Sequence, residues 1–285
     1  MKIQRFEEIA ERYKVVFFDA YGVLKTSSGA IPNIGNTFDY LKQRGIPFYI
    51  LTNDASRSPA ELAKGYHDLG FPEINESQII SSGMLTSQFL GHKVNGGKVV
   101  YVGPRSSAHF IESLGLDALH ISDLHLKHAE QVSALALMDD EGFNWREDIN
   151  KTVNLLRRTN VPTIVANTDL GYPVAKNEVG VAIGGIADMI QELVGKQFIK
   201  FGKPDAIMFN FAFNHFEEDG VTATRDEVLM VGDTLATDIL GGNKYGLDTA
   251  LVLTGNTRKE DYKVMISAQG IMPTYVLRTA GIKKL

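Results

Sequence analysis

Four short stretches carry residue types that can do chemistry. Asp19 ends the apolar run Val15–Phe18 and is followed by Tyr21 and Gly22 in "VVFFDAYG". Thr52 and Asn53 follow "FYIL", Lys203 stands in "FGKPD" directly before Pro204, and Asp233 and Asp238 share "MVGDTLATD". Each has a plain structural explanation when taken alone. An Asp after a strand caps a helix or makes a turn, and two acids at a helix start are cap and dipole partners. A Thr-Asn pair makes a turn, and a Lys-Pro pair at a helix start is simply exposed. Yet all four follow apolar runs, and ligands of open α/β sheets bind beyond the carboxyl ends of the strands. Four such pieces at one sheet edge point to a site built from acids, one lysine and a hydroxyl. Tyr21 is the odd member. A phenol of pKa ~10 can donate a proton, but at neutral pH it is a poor base.

The elements that must position these residues alternate along the chain. "VVFF" and "PFYILTN" read as strands, "NIGNTFDYLKQRG" and "SPAELAKGYHDLG" as helices, with Ser58 as cap and Pro59 in the first turn. Towards the other end "EVLMVGD", "LATDILGGNKYG" and "TALVLTG" read as strand, helix and strand, and Pro204 opens a helix after Lys203. Continuous apolar strands separated by helices indicate a parallel sheet covered on both faces. The middle forms an α/β set of its own. Its strands are "GKVVYVG", "VSALALMDD" and "VPTIVAN"; its helices are "SAHFIESLG", "NWREDINKTVNLLRRTN" and "GGIADMIQELVG". The sequence predicts short helices at the N-terminus, "MKIQRFEEIAERY", and over the final "TAGIKKL".

Composition narrows the function classes. The chain has 285 residues, 44% of them hydrophobic, enough for about two domains or one enlarged core. A net charge of −5 supplies no basic field, so nucleic acid is not an expected partner. No cysteine is present, which excludes disulfides, thiolate metal sites and Cys nucleophiles. No apolar run approaches the ~20 residues that span a bilayer, and the first residues lack a signal peptide's apolar core. Neither a membrane partner nor export is expected, and the default location is the cytoplasm. The seven histidines are scattered without metal-ligand spacing, and Trp145 is expected to pack in a core.

The four stretches in this order, with an α/β unit between Asn53 and Lys203, resemble the haloacid dehalogenase superfamily, most closely its class IIA phosphatases. "MDDEGFNW" resembles the segment that starts a cap helix in that class. "ANTD", residues 166–169, resembles its Asn-Pro-Asp turn, with Thr168 in place of proline. The resemblance implies a Rossmann-like parallel-sheet core over residues 1–82 and 199–285, with a smaller α/β cap inserted at 83–198. It implies an Asp19 nucleophile that forms an aspartyl-phosphate, a Thr52 hydroxyl and Asn53 on the phosphoryl oxygens, and Lys203 beside both. Asn167 and Asp169 would lie at the substrate. Mg²⁺ would be held by Asp19, the Tyr21 carbonyl, Asp233 and Asp238.

The chain departs from that pattern at Tyr21, where these phosphatases carry a second Asp as general acid and base. "DAYG" is instead the pattern of the metal-independent 2-haloacid dehalogenases. Three readings follow. The leading one is an Mg²⁺-dependent phosphohydrolase of a small phosphorylated metabolite, such as a sugar phosphate. The others are a dehalogenase-type hydrolase and a catalytically weak protein that binds phosphometabolites. Because caps of this class form dimer contacts, a homodimer is also expected.

Overall fold

The computed structural model describes residues 2–175 and 178–283. Two parallel sheets dominate it. The larger has seven strands in the order Ile3–Gln4, Tyr275–Leu277, Asp248–Val252, Val228–Gly232, Val15–Phe18, Phe48–Thr52 and Ile79–Ser81. The interior strand Val15–Phe18 is wholly buried because it packs on both faces. Phe17 meets Tyr49, Phe213 and Phe216 on one side, while Phe18 meets Phe6, Phe38 and Phe48 on the other. From this strand the chain pairs with Phe48–Thr52 on one flank and with Val228–Gly232 on the other. Such a switch in direction opens a crevice beyond the strand ends.

The second sheet has five parallel strands in the order Ile199–Lys200, Thr163–Val165, Val132–Leu137, Lys98–Val102 and Asp117–His120. The helices Trp145–Arg158 and Ile183–Val194 cover it. Asn144 caps the first by accepting from the N–H groups of Arg146 and Glu147. The strand Ile199–Lys200 belongs to this sheet, so its last strand lies just past the expected boundary at residue 198. The entry is blurred too. Helix Ser82–Lys93 starts directly after the core strand Ile79–Ser81 and leads into the second sheet. One apolar cluster runs from Phe17 through Leu85, Phe110 and Phe201 to Tyr101, so the two sheets share a core.

Two hairpins lie outside both sheets. Lys25–Thr26 pairs with Gly29–Ala30, and Gly171–Ala175 with Glu178–Val181. They meet where the Ser27 hydroxyl donates to the Val174 carbonyl at 3.2 Å. Both ends of the chain differ from expectation. Instead of an N-terminal helix there is the edge strand Ile3–Gln4 and two short 3₁₀ turns, Phe6–Glu8 and Ala10–Arg12. Phe6, Ile9 and Ala10 are buried there; their i, i+3, i+4 spacing is that of one helical face, which is why the stretch reads as a helix in the sequence. The described part of "TAGIKKL" is not helical; Ala280 is buried and its carbonyl accepts from Thr37. Among the described residues no helix is long and apolar enough to cross a membrane.

Candidate active site

A cavity of about 260 Å³ opens beyond the carboxyl ends of the core strands. Asp19, Tyr21, Thr52, Asn53, Asn167, Asp169, Lys203, Asp233 and Asp238 all line it, so the sequence-derived residues converge on one place. Asp19 directly follows the strand Val15–Phe18, and its N–H donates to the Val231 carbonyl at 2.9 Å, which extends the pairing to the neighbouring strand. Lys203 is 2% exposed at the side chain and makes three contacts through Nζ. These are Asp19 Oδ1 at 2.5 Å, Asp238 Oδ1 at 2.8 Å and the Leu51 carbonyl at 2.8 Å.

Asp238 is held from its other oxygen. Oδ2 accepts from the N–H groups of Asp233 and Thr234 at 3.1 and 3.0 Å, fixing the turn after Val228–Gly232. Asp233 in turn accepts from the Asn256 N–H at 2.6 Å and from the Thr234 hydroxyl at 2.9 Å. Its carboxylate lies against backbone. A Cβ on Gly22 would stand 2.3 Å from Asp233 Oδ2, and one on Gly255 would stand 1.9 Å from it. Only glycine permits so close an approach.

The electrostatics follow from this packing. Burial, set against the pull of Lys203, raises Asp19 to about 7, with Asp238 and Asp169 adding to the rise. Burial, then Asp19 and Asp238, pushes Asp233 well above the usual carboxylate range. Burial opposes the charge on Lys203, but Asp19 and Asp238 outweigh it and hold the ammonium above the ordinary lysine range. Asp19, Asp233 and Asp238 each bring a carboxylate oxygen within 4.8 Å of the others. Three acids against one lysine leave an excess of negative charge in a buried cradle of hard oxygen donors, which suits a divalent cation such as Mg²⁺. Asp19 and Asp233 have lone pairs to offer it. Asp238 faces Lys203 with one oxygen and two backbone N–H groups with the other, so it is placed chiefly to support the site.

Other expected residues take less anticipated positions. Tyr21 is 38% exposed at the cavity wall. Thr52 is buried, and its hydroxyl accepts from the Asp54 N–H at 3.2 Å. Both ends of the Asn53 amide are taken by protein groups rather than left open to a phosphoryl oxygen. Burial raises Asp169 to about 6. Trp145, expected in a core, is half exposed at the first turn of its helix with Phe143 nearby.

Sequence reading missed part of the wall. Lys25 packs its ammonium 5.0 Å from the centre of the Tyr66 ring, and burial lowers its pKa. Its backbone returns to the site because the Gly22 N–H donates to the Lys25 carbonyl. Arg57 and Asp54 lie on the same side. Asp139, Asp140 and Glu141 face them from the second sheet. Those acids stand in the quoted "MDDEGF", but an acidic run on a loop carries no signal of which way it points.

A haloacid dehalogenase-like hydrolase family matches residues 16–117, and a second HAD-hydrolase-like family matches 200–280. A solved possible sugar phosphatase of the HAD superfamily from Cytophaga hutchinsonii is 52% identical, with a TM-score of 0.93 and 100% of both chains covered. The chain belongs to the haloacid dehalogenase superfamily, class IIA. Like its relatives there, it is a hydrolase. Bovine chronophin is 26% identical over 95% of this chain and 92% of its own. The acid sugar phosphatase of Staphylococcus saprophyticus is 25% identical over 94% and 95%.

Proposed function

We propose that the protein is an Mg²⁺-dependent phosphohydrolase of a small phosphorylated metabolite, working through an aspartyl-phosphate on Asp19. The observation that carries this reading is the Asp19 carboxylate at the cavity floor, 2.5 Å from Lys203 and within 4.8 Å of the Asp233 and Asp238 oxygens. The phosphatases named among its relatives support it.

Asp19 attacks phosphorus, its carboxylate oxygen forms the new P–O bond and the ester P–O bond breaks. The leaving oxygen takes a proton from the Tyr21 hydroxyl. Water then attacks phosphorus, the bond from phosphorus to the Asp19 oxygen breaks, and inorganic phosphate leaves with the Asp19 carboxylate restored. The proton that water gives up passes to solvent, from which Tyr21 regains its own. Lys203 offsets negative charge beside Asp19 throughout. Bound at Asp19 and Asp233, Mg²⁺ would supply the positive charge that lets an anionic carboxylate meet an anionic phosphate.

Phosphate release from an aryl phosphate, followed with and without Mg²⁺ and beside halide release from a 2-haloacid, tests the reading. Metal-dependent phosphate release is expected. Halide release without metal would establish the dehalogenase alternative instead, and tight phosphoester binding without turnover would leave a binding protein.

A further inference from the structure

Lys203 meets the core acids, yet its main chain is delivered by the second sheet. Ile199–Lys200 pairs with Thr163–Val165, and the Phe201 N–H then donates to the Val165 carbonyl at 2.8 Å. The loops that leave these two strands, 166–170 and 201–204, therefore run side by side. Between them the Thr168 hydroxyl donates to the Lys203 carbonyl.

From the core, Asn53 closes on the same residue. Its Oδ1 accepts the Lys203 N–H at 2.8 Å, and its Nδ2 lies 3.2 Å from the Lys203 carbonyl. The same Nδ2 reaches Asp169 Oδ1 at 3.2 Å and Thr168 Oγ1 at 3.4 Å. The fit depends on Gly202, at φ +112, where a Cβ would stand 2.6 Å from Asn53 Oδ1. One core amide thus grips both the backbone of the lysine and the loop beside it.

We propose that Asn53 and Thr168 form a lock between the two sheets that sets the position of Lys203. Both are positioning residues that act through the lysine, and the proposal rests on reading Lys203 as part of the reaction. The Nζ contacts with Asp19, Asp238 and the Leu51 carbonyl leave it little freedom, so a small shift of its main chain disturbs all three. Misplacement by about 1 Å can cost on the order of 10²-fold in rate. Thr168 stands where the class pattern has proline, which has no hydroxyl to give. The Thr168 half of the lock is therefore one that the class pattern does not supply.

The test compares wild type with Thr168→Val, Thr168→Ser and Asn53→Ala. Four quantities are read: kcat and KM for an aryl phosphate with Mg²⁺, the melting temperature, and amide hydrogen exchange of residues 199–208. Thr168→Val should lower kcat about three- to tenfold, the worth of one hydrogen bond, with KM and melting little changed. Thr168→Ser should recover most of kcat. Exchange in 199–208 should speed up in Thr168→Val and more so in Asn53→Ala. Wild-type kcat in Thr168→Val overturns the lock, as does a loss confined to KM or one that serine does not recover. If wild type hydrolyses no phosphate ester, the phosphatase reading fails, but exchange still decides the lock. Unchanged exchange in both variants then refutes it, and faster exchange upholds it.

Discussion

The carboxylates on the two sides of the cavity are held in opposite ways. On the core side, backbone N–H groups and a buried lysine hold Asp233 and Asp238 in place. On the facing side, Asp139, Asp140 and Glu141 make no ion pair among the described residues. There Asp139 accepts from the Glu141 N–H at 3.1 Å, and Asp140 accepts from the Tyr172 hydroxyl at 3.0 Å. Burial, then Asp140 and Asp54, raises Asp139 to about 7. The groups that would do chemistry are thus fixed by the main chain. On the facing wall, burial and neighbouring acids act on Asp139, with no paired cation among the described residues to hold its charge.

The comparison breaks most visibly if one acid is removed from each side. Asp19→Asn should lower hydrolysis by at least about 10⁴-fold, the scale on which losing a nucleophile acts. Asp139→Asn should leave turnover of an aryl phosphate within a few-fold. Steady-state assays of the two purified variants decide this, and retained activity in Asp19→Asn would sink the covalent route. Next in size is metal removal. Chelation should cost several kcal/mol of transition-state stabilisation, on the order of 10²–10³-fold, and added Mg²⁺ should restore it. A chelator-treated enzyme that still turns over at full rate would contradict the role given to the Asp19–Asp233 pair.

Tyr21 sharpens the contrast, because it sits on the core side and its hydroxyl has no hydrogen-bond partner among the described residues. A phenol can supply the acid half of the reaction but little of the base half. Wild type should therefore show a burst of alcohol release and accumulate phosphoenzyme. Tyr21→Asp should convert the burst into steady turnover, a gain within the roughly 10²–10⁴-fold worth of general acid–base catalysis. Single-turnover release from an activated aryl phosphate measures it. Burst-free wild type together with a slower Asp variant would make Tyr21 an adapted residue.

The smallest effect concerns stability. An aspartate whose folded pKa is raised binds more protons when folded than when unfolded. Its contribution is full below the unfolded value of about 4 and is lost as pH rises towards the folded value. For Asp139 that folded value is about 7. Asp139→Asn should therefore raise the melting temperature by a few degrees at about pH 8 and change it little at about pH 4. Thermal melts at both pH values check the sign.

What was legible in the sequence follows from how local each signal is. The runs before Asp19, Thr52 and Asp233 are apolar because their strands are buried on both faces, and the acids and hydroxyl mark where they end. Ser58 and Asn144 act through neighbours two or three residues away, so their helices could be placed. Lys25 could not, because its approach to the cavity comes from a hairpin of two-residue strands, too short for any periodicity. The second bond set of Asn53 was equally hidden. Its partners Thr168, Asp169 and Lys203 lie more than a hundred residues away in the chain. The strand Asp117–His120 escaped because it is only partly buried and shows no clear alternation.

The apolar cluster that runs from Phe17 to Tyr101 through Leu85, Phe110 and Phe201 has a consequence for cooperativity. Two bodies joined by polar contacts alone could melt separately, as semi-independent foldons do. Here the inserted sheet shares buried side chains with the core, so loosening one uncovers apolar surface on the other. Heat or denaturant should then meet a single transition rather than two. A shortened chain lacking residues 83–198 would leave Phe201 without the ring of Phe89, 5.5 Å from it between centres, and would expose apolar surface prone to self-association.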